Sequence, residues 1–261
     1  MRYAASWCFS PNFGDALTPW LLKELGKGEA AWVTPGTPLE HYLITGSVLN
    51  ASSKHSIAWG PGLASWKDEV FAGADIRAAR GPLSLMRARS CGWEPKKGPA
   101  AIGDPALLLP TLVQAGQKTG KTGIVPHYVD MARLGWANQH NVSIIDPLLP
   151  VEKFCEQVSA CDKIVSSSLH GLIVADAYRV PNAWIRLGDG IGGDGMKYWD
   201  YLASVGRSRI EYPPTCEDWR SLNGTQILEA AVRAPAVAAP AEIVAELQRG
   251  LMKSCPFLVK S

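Results

Sequence analysis

Between Asp162 and Gly171 the sequence reads Asp-Lys-Ile-Val-Ser-Ser-Ser-Leu-His-Gly, and a nearly all-apolar run from Leu172 to Tyr178 follows. A short β-branched run that breaks into hydroxyl residues and resumes as a longer apolar run reads as a buried parallel strand, a turn and a helix. The strand ends at the serines and the helix starts at His170-Gly171. In an open α/β sheet the carboxyl ends of strands, where the next helix begins, present free backbone N–H groups and the positive end of a helix dipole. An anion is welcome there, and Ser166, Ser167, Ser168 and His170 add donors and one group that can carry a proton near neutral pH. Read without reference to the rest of the chain, the same residues are equally a serine-capped helix with an ordinary hydrogen-bonded histidine.

The chain has 261 residues, enough for one large α/β domain or two small ones, and its 47% hydrophobic and 19% charged residues are those of a globular protein with a real core. A net charge of +2 leaves no basic stripe, which argues against a nucleic-acid partner. The six cysteines form no CxxC pair and no ligand-like group with the five histidines, so no metal is expected and free thiols in a reducing cytoplasm are. The apolar run from Tyr3 to Phe9 is too short for a signal peptide, and no stretch approaches the length of a spanning helix. Peripheral contact with a membrane remains open. Ten tryptophans are many, and Trp59, Trp66, Trp93, Trp136 and Trp199 sit beside Gly, Pro or polar residues. Core filling accounts for most of them, with sugar stacking left for one or two.

Along the chain, residues 3–9 read as a first strand and Ser10 to Asp15 as its loop. Thr18-Pro19 reads as an N-cap with proline at the first helical position; alternatively Asp15 is the cap. Apolar runs ending in glycine follow at Tyr42 to Thr45 and Ser56 to Trp59, then Asp75 to Ala79, with a helix opening at Gly81-Pro82. The second half restarts at Thr122 to Pro126, with strands at Val142 to Ile145 and Asn182 to Ile185 and helical spacing from Val151 to Cys161. Strand and helix alternate in both halves, so the expected fold is α/β with two Rossmann-like halves facing across a cleft. The expected boundaries are 1–112, a linker at 113–123, 124–229, and an Ala/Pro-rich linker with a C-terminal helix at 230–261. Of that tail, Arg249, Lys253 and Lys260 supply the positive charge a membrane surface would attract.

Taken in order, Asn12-Phe13-Gly14-Asp15, Gly46-Ser47, Trp59-Gly60-Pro61-Gly62, Arg77-Ala78-Ala79-Arg80-Gly81-Pro82, Gly103-Asp104-Pro105, Pro126-His127-Tyr128 and Ser167-Ser168-Leu169-His170-Gly171 resemble the polysaccharide pyruvyl transferase family, in its short exopolysaccharide type. The resemblance runs from about Asn12 to about Gly206, and Lys197-Tyr198-Trp199-Asp200-Tyr201 is similar to the segment that follows the histidine motif. The resemblance implies a GT-B-like fold and transfer of the carboxyvinyl unit of phosphoenolpyruvate to a sugar, closing a cyclic pyruvate ketal. Phosphoenolpyruvate is then a donor substrate and no cofactor is needed. The implied acceptor is a sugar of an exopolysaccharide or of its lipid-linked precursor, which would place the enzyme at the cytoplasmic face of the inner membrane.

The family pattern implies His170 as the acid that protonates the enol, Arg80 as holder of donor charge and His127 as a second histidine contacting donor phosphate or acceptor hydroxyl. Ser167, Ser168 and Gly171 join the donor side. Asn12 and Gly14 belong to the acceptor loop, and Asp15 positions or deprotonates the acceptor. Many members carry arginine where this chain has Ser168; Arg77, Arg186 and Lys163 are the substitutes to consider. His41, His55 and His140 match nothing and are expected at the surface. The Asp189 to Gly195 loop lacks the ligand spacing of a calcium site and reads as a mobile acceptor-side loop. Two other functions compete: a GT-B nucleotide-sugar glycosyltransferase, for which no carboxylate suited to a donor ribose is found, and a non-catalytic glycan-binding subunit.

Overall fold

A computed structural model describes residues 1–9, 12–134, 141–207 and 216–258. Ser10, Pro11, Trp136, His140 and Lys260, named above, lie outside the described residues.

The chain divides into two compact units, residues 1–105 with 193–213 and 242–261, and residues 106–192 with 214–241. The expected boundaries ran straight along the sequence. The structure differs because segments after residue 192 and after residue 241 return to the first unit.

The first unit is built on β1 (Arg2–Ala5), α1 (Phe13–Glu24), β2 (Glu29–Trp32), β3 (His41–Leu43), β4 (Ser56–Trp59), β5 (Asp75–Ala79), α2 (Pro82–Ser90) and β6 (Ala101–Ile102). All six strands are parallel, in the order β2-β1-β3-β4-β5-β6. The second unit carries β7 (Thr122–Val125), β8 (Val142–Ile144), α3 (Val151–Ala160), β9 (Lys163–Ser166), α4 (Leu169–Ala177) and β10 (Asn182–Arg186). After α5 (Met196–Ser204), which belongs to the first unit, it is completed by β11 (Glu217–Asp218) and α6 (Gly224–Arg233). Its sheet is parallel too, in the order β11-β10-β9-β7-β8. The chain closes with α7 (Ala241–Ser254), and Trp59 Nε1 donates to Leu251 O of that helix at 3.0 Å.

The fold is therefore α/β in two Rossmann-like halves, as the alternation of strands and helices predicts. In each half the first strand goes to one side, to β2 or β8, and the rest of the sheet grows on the other. Strand order reverses between β1 and β3 in one unit and between β7 and β9 in the other. Such reversals splay the outgoing loops apart and leave room for a ligand at the carboxyl ends.

Helix α1 corrects the predicted start. Its N-cap is Asn12, whose side chain accepts from Asp15 N, and Pro19 lies inside the helix. Thr18 is no cap because its hydroxyl faces Thr45 Oγ1 at 2.9 Å. His41 corrects the surface expectation: it is buried, with Nδ1 2.9 Å from Leu39 O and Nε2 3.0 Å from Ser56 Oγ. Both ring nitrogens are satisfied between β3 and β4. Trp59 and Trp93 are buried, and Trp66 and Trp199, partly buried, pack against the first unit's core.

Candidate active site

In the second unit the strand ends at the reversal are tied together by hydroxyls. Ser167 N donates to Val125 O at 3.1 Å, and the Ser166 hydroxyl lies 2.8 Å from the same carbonyl and accepts from Ser168 N at 3.0 Å. The chain thus turns sharply off β9 into α4. Gly171 is required by that turn, because a Cβ there would meet Ser166 Oγ at 2.3 Å and Val125 Cβ at 2.8 Å. Glycine lets the first turn of α4 rest on the strand ends, and His170 beside it is 9% exposed. Ser168 is the N-cap of α4 and makes no capping bond with its side chain. The helix begins one residue earlier than predicted.

Ser167 is the hub of the neighbouring loops. Its hydroxyl donates to Asp130 Oδ2 at 2.7 Å and accepts from His127 N at 2.9 Å. Asp130 is 2% exposed, and a Cβ on Gly188 would come within 2.7 Å of its other oxygen. One buried carboxylate therefore ties the loops after β7 and β9 together, with the chain just past β10 packed close against it. His127, half-buried, accepts from Val129 N through Nδ1 at 3.4 Å and its ring lies 4.6 Å from that of Tyr128. In the neutral form that bond puts the ring proton on Nε2. His127, Ser167, Ser168, His170 and Gly171 are thus gathered at one switch point.

Asn12, Gly14 and Asp15 are gathered at the other. Asn12 Nδ2 donates to Asp15 Oδ2 at 2.6 Å, and Gly14 O accepts from Thr45 Oγ1 at 3.0 Å. Gly46, at φ +86°, closes the turn after β3, and a Cβ there would stand 3.3 Å from Asp15 Oδ1.

Arg80 departs from the expected ligand-facing guanidinium. Its side chain is 0% exposed and every edge is directed inward. Nη1 donates to Ser47 Oγ at 3.2 Å, Nη2 to Leu63 O at 2.6 Å, and Nε stands 3.3 Å from Asp200 Oδ2 as an ion pair. Gly62 and Gly81 have no room for a side chain, since a Cβ would meet Arg80 Nη2 at 2.3 Å in one case and Asp200 O at 2.1 Å in the other. Asp200 on α5 also caps α2, accepting from Ser84 N at 2.9 Å and Ser84 Oγ at 2.6 Å, where the N-cap residue Gly81 has no side chain to do so.

Among the arginine substitutes, Lys163 is excluded by position: it opens β9, at the far end of the strand from Ser168, and donates to Val232 O and Ala234 O at the end of α6. Arg77 points back along β5 to Asp75 at 3.2 Å. Arg186 ends β10, two residues past the Trp184↔Ser166 pair that closes β9. It pairs with Asp189 at 2.6 Å, which Arg220 also meets at 2.8 Å. The two guanidinium groups hold the Asp189 carboxyl below its usual range. Asp194 of the same loop is pinned rather than loose, accepting from Ser65 Oγ at 2.8 Å and Trp66 N at 2.9 Å. Asp130, Asp200 and Ser84 went unread in the sequence. Asp200 stands inside the Lys-Tyr-Trp-Asp-Tyr segment and Asp130 three residues after His127, the two signals that could have found them.

The fold and these strand ends define a Rossmann-like α/β protein whose polar side chains collect at two topological switch points. Comparison with known sequences gives that class its family. The sequence model described as "Polysaccharide pyruvyl transferase" matches residues 33–189, a span that holds Arg80, His127, Ser167, Ser168, His170 and Gly171 but not the Asn12 to Asp15 loop or Asp200. The chain is 30% identical over 215 residues to the "Succinoglycan biosynthesis protein ExoV" of Rhizobium meliloti (strain 1021), covering 78% of this chain and 63% of that one. It is 29% identical over 219 residues to "Uncharacterized protein L143" of Acanthamoeba polyphaga mimivirus, covering 78% of this chain and 75% of that one. The chain belongs to the polysaccharide pyruvyl transferase family, and so to a family of transferases.

Proposed function

We propose that the protein moves the carboxyvinyl unit of phosphoenolpyruvate onto a sugar of an exopolysaccharide, or of its lipid-linked precursor, and closes a cyclic pyruvate ketal. The observation that carries this reading is the second unit's switch point, where a histidine in the first turn of α4 stands beside hydroxyls and a helix N-terminus in a chain of this family. The helix start and the Ser168 hydroxyl suit an anionic donor. His170, as imidazolium, gives its proton to carbon 3 of the enol while carbon 2 becomes oxocarbenium-like and takes a sugar hydroxyl oxygen, whose proton passes to the freed imidazole. A second sugar hydroxyl then attacks carbon 2, phosphate leaves with the electron pair of its C–O bond, and that hydroxyl's proton goes to a base. Asp15 is the carboxylate assigned to position the acceptor or take this proton, with Asn12 and Gly14 shaping its loop.

His127 completes the donor side through its Nε2 edge. Arg80 serves by holding Ser47 of the Gly46-Ser47 turn, its own charge paired with Asp200. If the acceptor is lipid-linked, the reaction belongs at the cytoplasmic face of the inner membrane, with the protein peripheral to it; no helix among the described residues is long and apolar enough to cross a membrane.

The test is phosphate release from phosphoenolpyruvate with and without galactosides, glucosides and mannosides, followed by mass spectrometry of the glycan. A gain of about 70 mass units with acceptor-dependent phosphate release is the expected result, being pyruvate added with loss of water. No phosphate release with any acceptor, together with stabilisation by a nucleotide sugar, would establish the glycosyltransferase alternative instead. His170→Ala should lower turnover by about 10²–10⁴-fold while phosphoenolpyruvate still raises the melting temperature; loss of both together would remove His170 from the acid's role.

A further inference from the structure

The loop after β1 carries an aromatic cluster that no step above uses. Phe9 is 70% exposed and Trp32, the last residue of β2, is 37% exposed. Their rings lie 4.9 Å apart, and Trp7 adds a third ring 5.9 Å from Phe9. The backbone beneath is fastened. Val33 N donates to Ala5 O at 2.9 Å, Ser6 Oγ to Val33 O at 2.7 Å, and Trp32 Nε1 to Trp7 O at 3.1 Å. The indole N–H is therefore spent internally, and what the cluster offers outward is ring faces and edges held in place.

The cluster stands at the carboxyl ends of β1 and β2, beside the first unit's switch point. Asn12 and Asp15, joined at 2.6 Å, open α1, the element that follows this loop in the chain, and the Cys8 thiol is pushed up by burial and then by the charge of Asp15. Flat apolar rings next to a carboxylate and an amide are the two halves of carbohydrate recognition: ring faces take the C–H face of a pyranose, and planar polar groups take its hydroxyls.

We propose that Phe9 and Trp32, supported by Trp7, form a stacking platform for one pyranose ring of the acceptor glycan, whose hydroxyls reach toward Asn12 and Asp15. The occupant's identity as an acceptor rests on the proposed function. Area decides against a second copy of the chain. Two aromatic side chains, even fully exposed, offer about 300–500 Å², whereas a stable protein interface takes about 800 Å² from each partner.

The test follows intrinsic fluorescence of the full-length protein titrated with lactose, cellobiose and mannobiose. At least one should change the emission saturably, and Phe9→Ala should weaken that binding about tenfold, the scale of a lost aromatic stack, while Phe9→Trp restores it. Donor affinity, read as the thermal shift with phosphoenolpyruvate, should be the same in all three proteins. Equal sugar affinity in wild type and Phe9→Ala, or no response to any of the three sugars, overturns the platform. So does a dimer in solution that Phe9→Ala dissociates. The two readings fail separately: Phe9-dependent sugar binding without phosphate release keeps the platform and removes the pyruvyl reaction, and phosphate release indifferent to Phe9 does the reverse.

Discussion

The two switch points share one strand order and are furnished in different ways. In the second unit the loops are joined by short-range polar bonds among Ser166, Ser167, Asp130 and His127, all at the strand ends themselves. In the first unit the turns after β3 and β4 are held from below by a buried ion pair, with Asp200 brought from α5 against Arg80. One design keeps the titratable groups where a ligand would arrive. The other uses its strongest charges as internal supports and leaves Asn12, Asp15 and the aromatic rings at the edge. Topology fixes where a site can be; what occupies the strand ends separates a place for proton transfer from a place for binding.

The contrast is broken most directly at Asp200. With Asp200→Ala the fully buried guanidinium loses its counter-charge and α2 loses its cap, and stability should fall by about 3–5 kcal/mol. Replacing both partners, Arg80→Met with Asp200→Leu, should recover most of that loss, because two apolar side chains of similar volume carry no unpaired charge. Urea unfolding of the three proteins checks this. A single Asp200→Ala variant as stable as wild type would mean the ion pair supports nothing.

The matching change in the second unit is Gly171→Ala. Its Cβ would press on Ser166 Oγ at 2.3 Å and Val125 at 2.8 Å, so α4 must back away from the strand ends. The expected cost is about 1–3 kcal/mol, with turnover falling further than stability alone requires because His170 rides on the same turn. Adding Ser166→Ala should return part of the stability. If Gly171→Ala costs nothing, the close seat of α4 on β9 is not what positions His170.

Much of this fold is legible in the sequence because its strands are short, apolar and punctuated. Ser56 to Trp59 and Asp75 to Ala79 are read as strands and are found as β4 and β5, and Asn182 to Ile185 is found as β10 with one residue more, Arg186. The Ser-Ser-Ser-Leu-His-Gly stretch is likewise found as a strand end and helix start. What escaped the sequence are features set by tertiary partners. Glu29–Trp32 has no strong pattern and becomes β2 by pairing with β1. Pro19 was expected to mark a helix start, but the Asn12 cap and the buried Thr18–Thr45 pair fix the start earlier. His41 reads as a surface residue in the sequence because its partner Ser56 Oγ comes beside it only once β3 and β4 are paired. Nothing local to Arg80 announces that residue 200 will pair with it.

The two units also differ in their expected response to alkali. Burial pushes the thiols of Cys155 and Cys216 up to about 12 and that of Cys161 up to about 11, all in the second unit, while in the first only Cys255 rises as far, to about 11. An unfolded cysteine loses its proton near pH 8.5. Between that pH and the folded values the native state holds more protons than the unfolded one, so stability is complete below about pH 8.5 and declines as pH rises. The slope should be roughly 1 kcal/mol per thiol per pH unit, and it should fall mainly on the second unit. Urea unfolding at pH 8, 9 and 10 should show the decline; Cys155→Ala and Cys255→Ala should each flatten it by one thiol's share, since both folded values lie above this range, and Cys155→Ala combined with Cys161→Ala should flatten it about twice as much. A slope that the double replacement leaves unchanged would mean that the second unit's thiols open to water without unfolding.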